Sequence, residues 1–473
     1  MFTISSIHRA ACLVILCLAC ARASAGELPK ADGYRGIWYM VGPQRDEYRY
    51  KYSGGLGTYC AHHRPLAFYS KEADKTFFCY GGTARKTNTL LHMVSYYDHK
   101  TGMVPRPRIL MDKKTRDAHD NPVISMDNTG HLWIFSGSHG TQRPSYIWVG
   151  KKPYDIDEFD QVNVNAFATK RHGMNYSYPQ PHYLLEKGFC FLMTRYTDAV
   201  ERMLFVSSSP DGRTWTIPKP FATIEMGQYQ VSEHFGEKVG TCFNFHPRPQ
   251  GADWRTNLYY METSDGGKTW TTVDGTPLET PLTSKSNPAL VHDYQAEKRL
   301  VYVMDLNYDS QGRPLLLYLT SRGAKSGPVN DPRIWQTARW TGENWDIQGS
   351  IHADNNYDTG SIYIEKDDLW RFIAPSEAGP QPYNPGGEVV MWISRDQGKL
   401  WTKVKQLTHG SKFNHTYCRR PVNAHPDFYA FWADGHGRKP SESRLYFTNR
   451  DGDHVWRLPV KMKDETAKPE IAW

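Results

Sequence analysis

An all-β chain built from repeated four-stranded antiparallel sheets is predicted by three observations. The first is composition: 473 residues, 39% hydrophobic and 13% aromatic, with Tyr 29, Trp 15, Gly 38 and Pro 30, supply a large core and many turns. The second is periodicity. Short aromatic and β-branched runs (KTFFCY, HLWIFS, GFCFLMTRY, KVGTCFNF, RLVYVMDLN, DLWRFIAP and DFYAFWAD) are bounded by Gly, Asp, Asn or Pro, and long stretches of helical spacing are missing. The third is repetition: these seven runs recur every ~50 to 70 residues, near the length of one propeller blade. A seven-bladed β-propeller with four-stranded antiparallel blades accommodates them.

Taken in order, the chain opens on His8 and Arg9, the apolar run ACLVILCLAC (11–20) and the triplet Ala23, Ser24, Ala25. This is the layout of a secretory signal cleaved near Ala25, and the run is about half the ~20 residues that span a bilayer. Residues 1–25 are therefore assigned to a signal peptide and 26–473 to a single propeller domain, secreted or periplasmic, with a lipid anchor at Cys20 as the lesser alternative. Outside that leader, Cys60, Cys79, Cys190, Cys242 and Cys418 make neither a disulfide framework nor a CxxC metal pattern. Cys79, Cys190 and Cys242 read as buried thiols; Cys60 and Cys418 would be neighbours, and a plausible pair, if the first and last repeats meet.

The inner strand of each blade is assigned to the segment preceding its apolar run. These segments are HRPLAFY (63–69), HDNPVIS (119–125), YPQPHYL (178–184), YQVSEHF (229–235), NPALVHDY (287–294), GSIYIE (360–365) and RPVNAHP (420–426). A third strand follows each run, and three of these lead into Asp-box turns: ISRDQGKLW (393–401) in full, METSDGGKTW (261–270) and SSSPDGRTW (207–215) as variants. Such turns are structural, the carboxylate and glycine making the hairpin while the Trp packs between sheets. The ring is closed either by HVWRLPVKM (454–462) or by GYRGIWYM (33–40).

Inner strands of a propeller begin at one face of the central channel, so residues at those starts converge. They are His63, Arg64, His119, Tyr176, Tyr178, Gln228, Tyr229, Asn287, Tyr357, Asp358, Arg419 and Arg420, joined from neighbouring loops by His139, Arg195, Asn244, His246, Asp305, Asn307, Glu377, Asp434 and His436. A funnel of His, Tyr, Arg and Asn suits β-elimination from a uronic-acid polysaccharide. Arg with an amide donor neutralises the carboxylate, a neutral His removes the C5 proton, and a Tyr hydroxyl protonates the departing O4.

The blade pattern and these residues resemble the BNR-type seven-bladed propellers that include ulvan lyases of polysaccharide lyase families 24 and 25. The specific part is DAHDNP with His119, GSHGTQRPSY with His139 twenty residues later, LMTRY with Arg195 and NYSYPQP with Tyr178. The resemblance implies a secreted polysaccharide lyase with His119 and His139 as base and partner, Arg195 on the uronate carboxylate, and Tyr178 or Tyr229 as acid. Substrate contacts are expected from Asn121, Arg64, Tyr176, Asn244, His246, Asn287 and Arg420.

Two other functions compete. A sialidase-like glycoside hydrolase would need Arg64, Arg195 and Arg420 around a carboxylate with Glu377 nearby; a non-catalytic glycan-binding propeller would use the same groups only to hold sugar. No cofactor is required for elimination; His415, His425 and His436 with Cys418 could hold a structural metal of unknown identity, although their spacing fits no strong template. The net charge of +7, Lys+Arg 57 against Asp+Glu 50, is spread along the chain. It favours an anionic polysaccharide as partner and lacks the basic stripe nucleic acid calls for. No membrane span and a monomer are expected.

Overall fold

The computed structural model describes residues 27–84, 87–170, 173–197 and 201–473; the assigned signal peptide, 1–25, lies outside them. Antiparallel sheets follow one another along the chain. The first comprises Ala67–Ser70, Lys75–Gly82, Leu91–Asp98 and Arg108–Asp112, and the second Pro122–Met126, Leu132–Ser136, Tyr146–Gly150 and Phe159–Val162. The third comprises Ser177–Leu184, Gly188–Tyr196, Arg202–Ser209 and Lys219–Ala222; the fourth is led by Gln230–Phe235, Lys238–Phe245 and Thr256–Thr263. The fifth is Leu300–Tyr308, Pro314–Ser321, Arg333–Trp340 and Trp345–Ala353. A nine-stranded sheet follows, in which a half begun by Ser361–Ile364 and a half begun by Asn414–Arg419 meet through the single pair Gly387 and His415.

Side chains alternate across each strand, and because the sheets stack on one another both faces are apolar. In the third sheet Phe189, Phe191 and Met193 pack toward the second, with Phe135 and Trp133, while Cys190, Leu192 and Leu204 pack toward the fourth, with Phe243 and Phe245. This parity decides below which side chains of the strand reach the site. Inner strands are tied edge to edge around a channel: Ile124 N donates to Pro65 O, Ser232 N to Gln180 Oε1, Ile362 N to Asp305 Oδ2 and Cys418 N to Thr359 O.

Several assignments made from the sequence need correction. Leu290–His292 of the NPALVHDY segment pairs with the fourth sheet, and Leu300–Tyr308 is the inner strand of the fifth. The reason is burial: Leu300–Tyr308 is buried almost throughout, as a strand covered on both faces must be, whereas Leu290–His292 is half-exposed. The last inner strand is Asn414–Arg419, ahead of the expected 420–426. Val455–Arg457 joins the last sheet with Glu470–Ile471 outside it, and Trp38–Pro43 instead pairs with Tyr50–Gly55. All five cysteines outside the leader are buried and unpaired, so Cys60 and Cys418 form no disulfide. Among the described residues no helix is long and apolar enough to cross a membrane.

The hairpin of Trp38–Pro43 and Tyr50–Gly55 lies across the end of the channel where the inner strands begin. It is pinned by the Lys51 and Asp253 ion pair, by Asn384 Nδ2 donating to Tyr48 O and by Ser326 Oγ donating to Lys51 O.

Candidate active site

The segment before the second inner strand folds as a short turn, Ala118–Asp120, because Asp117 Oδ1 accepts the His119 backbone N–H at 3.1 Å. The same carboxylate bridges two imidazoles, Oδ1 to His119 Nδ1 at 2.5 Å and Oδ2 to His139 Nδ1 at 3.0 Å, with the rings stacked 4.0 Å apart. Burial alone would raise the Asp117 pKa, but the adjoining His119 and His139 outweigh it and hold the carboxyl well below its usual range. An ionised Asp117 accepts a proton-bearing Nδ1 from each ring, which leaves both Nε2 atoms with lone pairs. His119 Nε2 meets the Tyr52 hydroxyl at 2.7 Å and the residue is buried; burial, then His139, push its pKa down. His139 Nε2 has no partner among the described residues, and its side chain is 29% exposed, so His139 carries the accessible base.

Arg143 fixes this arrangement from the outer side. Its Nε and Nη2 donate to Asp120 at 2.8 and 2.9 Å, Nη2 also reaches Asp117 Oδ2 at 3.2 Å, and the His139 backbone N–H donates to Asp120 Oδ1 at 2.7 Å. Lys113, which burial pushes down to about 8 against the opposing pull of Asp120, donates to Ser138 Oγ and Pro144 O.

Tyr178 enters from the third inner strand at a β-bulge between Ser177 and Gln180, with φ 49. A tyrosine in that left-handed region is strained, and the bulge turns its ring into the channel. The ring lies 6.3 Å from both His119 and His139 and 5.4 Å from Tyr229. Tyr229 stacks on His62 at 4.6 Å, with Arg202 at 5.6 Å and Arg255 at 4.5 Å over its face. Burial raises the Tyr229 pKa, yet Arg202 and then Arg255 outweigh it, and the net direction is down. Tyr196 stands 5.8 Å from the His139 ring, and its buried hydroxyl has no hydrogen-bond partner among the described residues. Neither Arg202 nor Arg255 has a carboxylate partner there either. A buried guanidinium and a half-buried one without an anion favour a phenolate or an incoming carboxylate.

Arg195 is not part of this group. It follows Phe191 and Met193 in the strand's alternation, faces the second sheet, and lies 5.8 Å from the Phe205 ring; Tyr196 and its cross-strand neighbour Arg202 take the inward face. Arg202 therefore occupies the inward position foreseen for Arg195. Arg64 and Arg420 are also displaced. They lie along a cavity of about 440 Å³ lined further by His182, His234 and Leu185, at the opposite end of the inner strands from Tyr178 and Tyr229. Both bind Glu233 Oε2, at 3.0 and 2.9 Å. Glu377 is on the surface with Lys403, so the arginine set of a sialidase is not assembled.

Of the other expected contacts, Asn121 is fully buried, its Nδ2 donating to Leu56 O, Gly57 O and Tyr59 O, and it holds a loop. Tyr176 is core, its hydroxyl donating to Tyr146 O at 2.6 Å and its ring packed on Phe191. Asn244 ties Tyr229 N to Val301 O. Asn287 sits in an outer turn, donating to Ser284 O. His246 does underlie the site, 4.7 Å from the Tyr229 ring, with both ring nitrogens buried and unpartnered among the described residues. His415 is enclosed by Trp432 and Ser411, and among the described residues no metal-type grouping contains it, His436 or Cys418.

Residues 91–350 match the model of a family described as "BNR repeat-containing family member". A protein of Pseudoalteromonas sp. (strain PLSV) named "Ulvan Lyase-PL25" is 21% identical over 424 residues, 80% of this chain and 81% of its own length. An "Ulvan lyase" of Nonlabens ulvanivorans is 24% identical over 360 residues, 67% of this chain and 70% of its own. A solved PL25 ulvan lyase bound to -[GlcA(1-4)Rha3S]- superposes with a TM-score of 0.67 at 16% identity, covering 89% of this chain and 96% of that one. The shared fold is all-β and propeller-like. The chain belongs to the BNR repeat-containing family.

Proposed function

We propose that the protein is a secreted polysaccharide lyase that cleaves a uronate-containing polymer by β-elimination, with ulvan, the polymer named for its relatives, as the first substrate to test. With the halves of the nine-stranded sheet counted separately, the architecture reads as seven blades around the channel. The observation that carries the function is the Asp117-bridged imidazole pair, which leaves His139 Nε2 free on a ring 6.3 Å from Tyr178, beside guanidiniums that have no anion. His139 Nε2 takes the C5 proton; the C5–H electron pair becomes the C4–C5 double bond; the C4–O4 bond breaks; and the Tyr178 hydroxyl protonates O4. Arg202, with the Tyr196 hydroxyl, neutralises the uronate carboxylate, so that charge developing on it meets a donor already in place. Tyr229, held toward ionisation by Arg202 and Arg255, buttresses Tyr178. Elimination needs no cofactor, and the protein acts as a monomer on an anionic polysaccharide. Mass spectrometry of the fragments tests the reading: elimination yields one unsaturated terminus per cut, lighter by one water than a hydrolysis product. Saturated fragments, or none from any uronate polymer, would overturn it.

A further inference from the structure

Three clusters among the described residues place imidazole and carboxylate ligand atoms within 4.8 Å of one another: Asp117, His119 and His139; His182, Glu233 and His234; and His99, His425 and Asp427. Their surroundings separate them. The first is the candidate active site, with Arg143 bound to its carboxylate. In the second, Glu233 Oε2 already binds Arg64 and Arg420, so a cation there would sit beside two guanidiniums. Around the third, the charged groups acting most strongly on His99, apart from His425, are the carboxylates Asp74, Asp427 and Asp98.

The third cluster spans a junction. His99 directly follows the first sheet's strand Leu91–Asp98, and His425 and Asp427 lie between the last sheet's strands Asn414–Arg419 and Ala430–Gly435. The imidazoles are 3.8 Å apart, with the Tyr69 ring 4.7 Å from His425. His99 Nε2 contacts Thr76 Oγ1 at 2.8 Å, whereas Nδ1 is buried without a hydrogen-bond partner among the described residues. With the Nε2 proton on Thr76, a buried Nδ1 lone pair remains unused. A ligand histidine is prepared in this way, its second nitrogen fixed by a neighbouring oxygen.

We propose that His99, His425 and Asp427 form a binding site for a borderline divalent cation of the Zn²⁺ type, which clamps the first sheet to the last. Two imidazoles and one carboxylate select such an ion over Ca²⁺ or Mg²⁺, which take mostly oxygen ligands. A small adjustment brings the ligand atoms to the ~3.4 Å edge of a tetrahedron with bonds of ~2.1 Å, water completing the set. The clamp has a mechanical purpose. At this end of the junction the first and last sheets, among the described residues, pair directly only through Tyr69 N to Val422 O and Val422 N to Ala67 O, beside the packing of Phe78 on Phe428 and Phe431; elsewhere the segments 34–37 and 462–467 bridge them. An ion held by both sheets resists their parting.

The test uses the full mature chain, stripped with EDTA and titrated with ZnCl₂ by calorimetry and thermal unfolding. One equivalent should bind and raise Tm, with CaCl₂ giving no rise. His99→Ala and Asp427→Asn should each weaken binding at least ~10-fold and abolish the Tm rise, while His139→Ala retains both. Asp427 is exposed, so its variant decides the matter if His99→Ala does not fold. Absence of Zn²⁺ binding, binding unchanged in Asp427→Asn, or binding lost in His139→Ala would overturn the proposal.

Discussion

Replacing Asp117 by Asn probes the site at its most constrained atom. Asp117 Oδ1 accepts from the His119 backbone N–H and Nδ1, and Oδ2 from His139 Nδ1 at 3.0 Å and Arg143 at 3.2 Å. Asn keeps only one acceptor. With its oxygen on the His119 side, where two donors converge, the new NH₂ faces His139 Nδ1 and Arg143. His139 then exchanges tautomers, accepts through Nδ1 and carries its proton on Nε2, where the substrate proton should go. The base is lost without any change in shape. General base catalysis contributes ~10²- to 10⁴-fold, so kcat should fall by that factor, ~3 to 5 kcal/mol of barrier, with KM nearly unchanged. The assay is the initial rate of ultraviolet absorbance from the unsaturated product, on enzyme whose circular dichroism matches the parent. His139→Ala should lose a similar factor, and the double variant little more. A kcat within about threefold of the parent, or a loss confined to KM, would refute the tautomer argument.

Other predictions follow from the same geometry. Tyr176→Phe removes one buried hydrogen bond and should cost ~1 kcal/mol in denaturant unfolding while leaving kcat unchanged; a large kcat loss would return Tyr176 to the site. Asn121→Ala removes the amide donor shared by three buried carbonyls, of which Leu56 O and Gly57 O keep the Tyr59 and Gly81 N–H donors, and should lower stability by ~1 to 2 kcal/mol, read as a shift in urea midpoint at constant m-value. Because the folded Tyr229 pKa lies below its unfolded value, its ionisation favours the folded state as pH rises through the folded pKa, fully so above the unfolded one. Tyrosinate absorbance should therefore appear at lower pH in the native than in the unfolded chain, and Arg202→Met should move it upward; an unmoved titration would reject the role of Arg202.

The positions of His119, His139, Tyr178 and Tyr229 were legible because turn and aromatic signals mark where inner strands begin, and those starts converge. Asp117, two residues before His119, carries the sequence signature of an ordinary turn-capping carboxylate, and its second contact, with His139, is set only by the folding of the strands between them. Arg195 was misplaced for a different reason: GFCFLMTRY is apolar on both faces, so the pattern does not show which parity faces the channel, and the inward guanidinium comes from Arg202 on the next strand. Arg64 and Arg420 line the cavity at the opposite end of the inner strands, and sequence spacing does not tell which mouth a side chain approaches. Asn287 lies outside the site because the proline-led NPALVHDY segment carries the stronger turn signal, whereas the inner strand of the fifth sheet is the almost wholly buried Leu300–Tyr308.

The two ends of the channel offer rival places for substrate: the imidazole and tyrosine cluster under the hairpin, and the larger cavity beside Arg64 and Arg420. A crystal structure of the His139→Ala variant with a uronate oligosaccharide discriminates between them. The sugar should bind at the cluster, with its carboxylate on Arg202 and the C5 hydrogen directed at the space vacated by the imidazole, C5 within ~3 to 3.5 Å of where Nε2 stood. A sugar seated in the opposite cavity, or one at the cluster with C5 turned away from that space, would contradict the account.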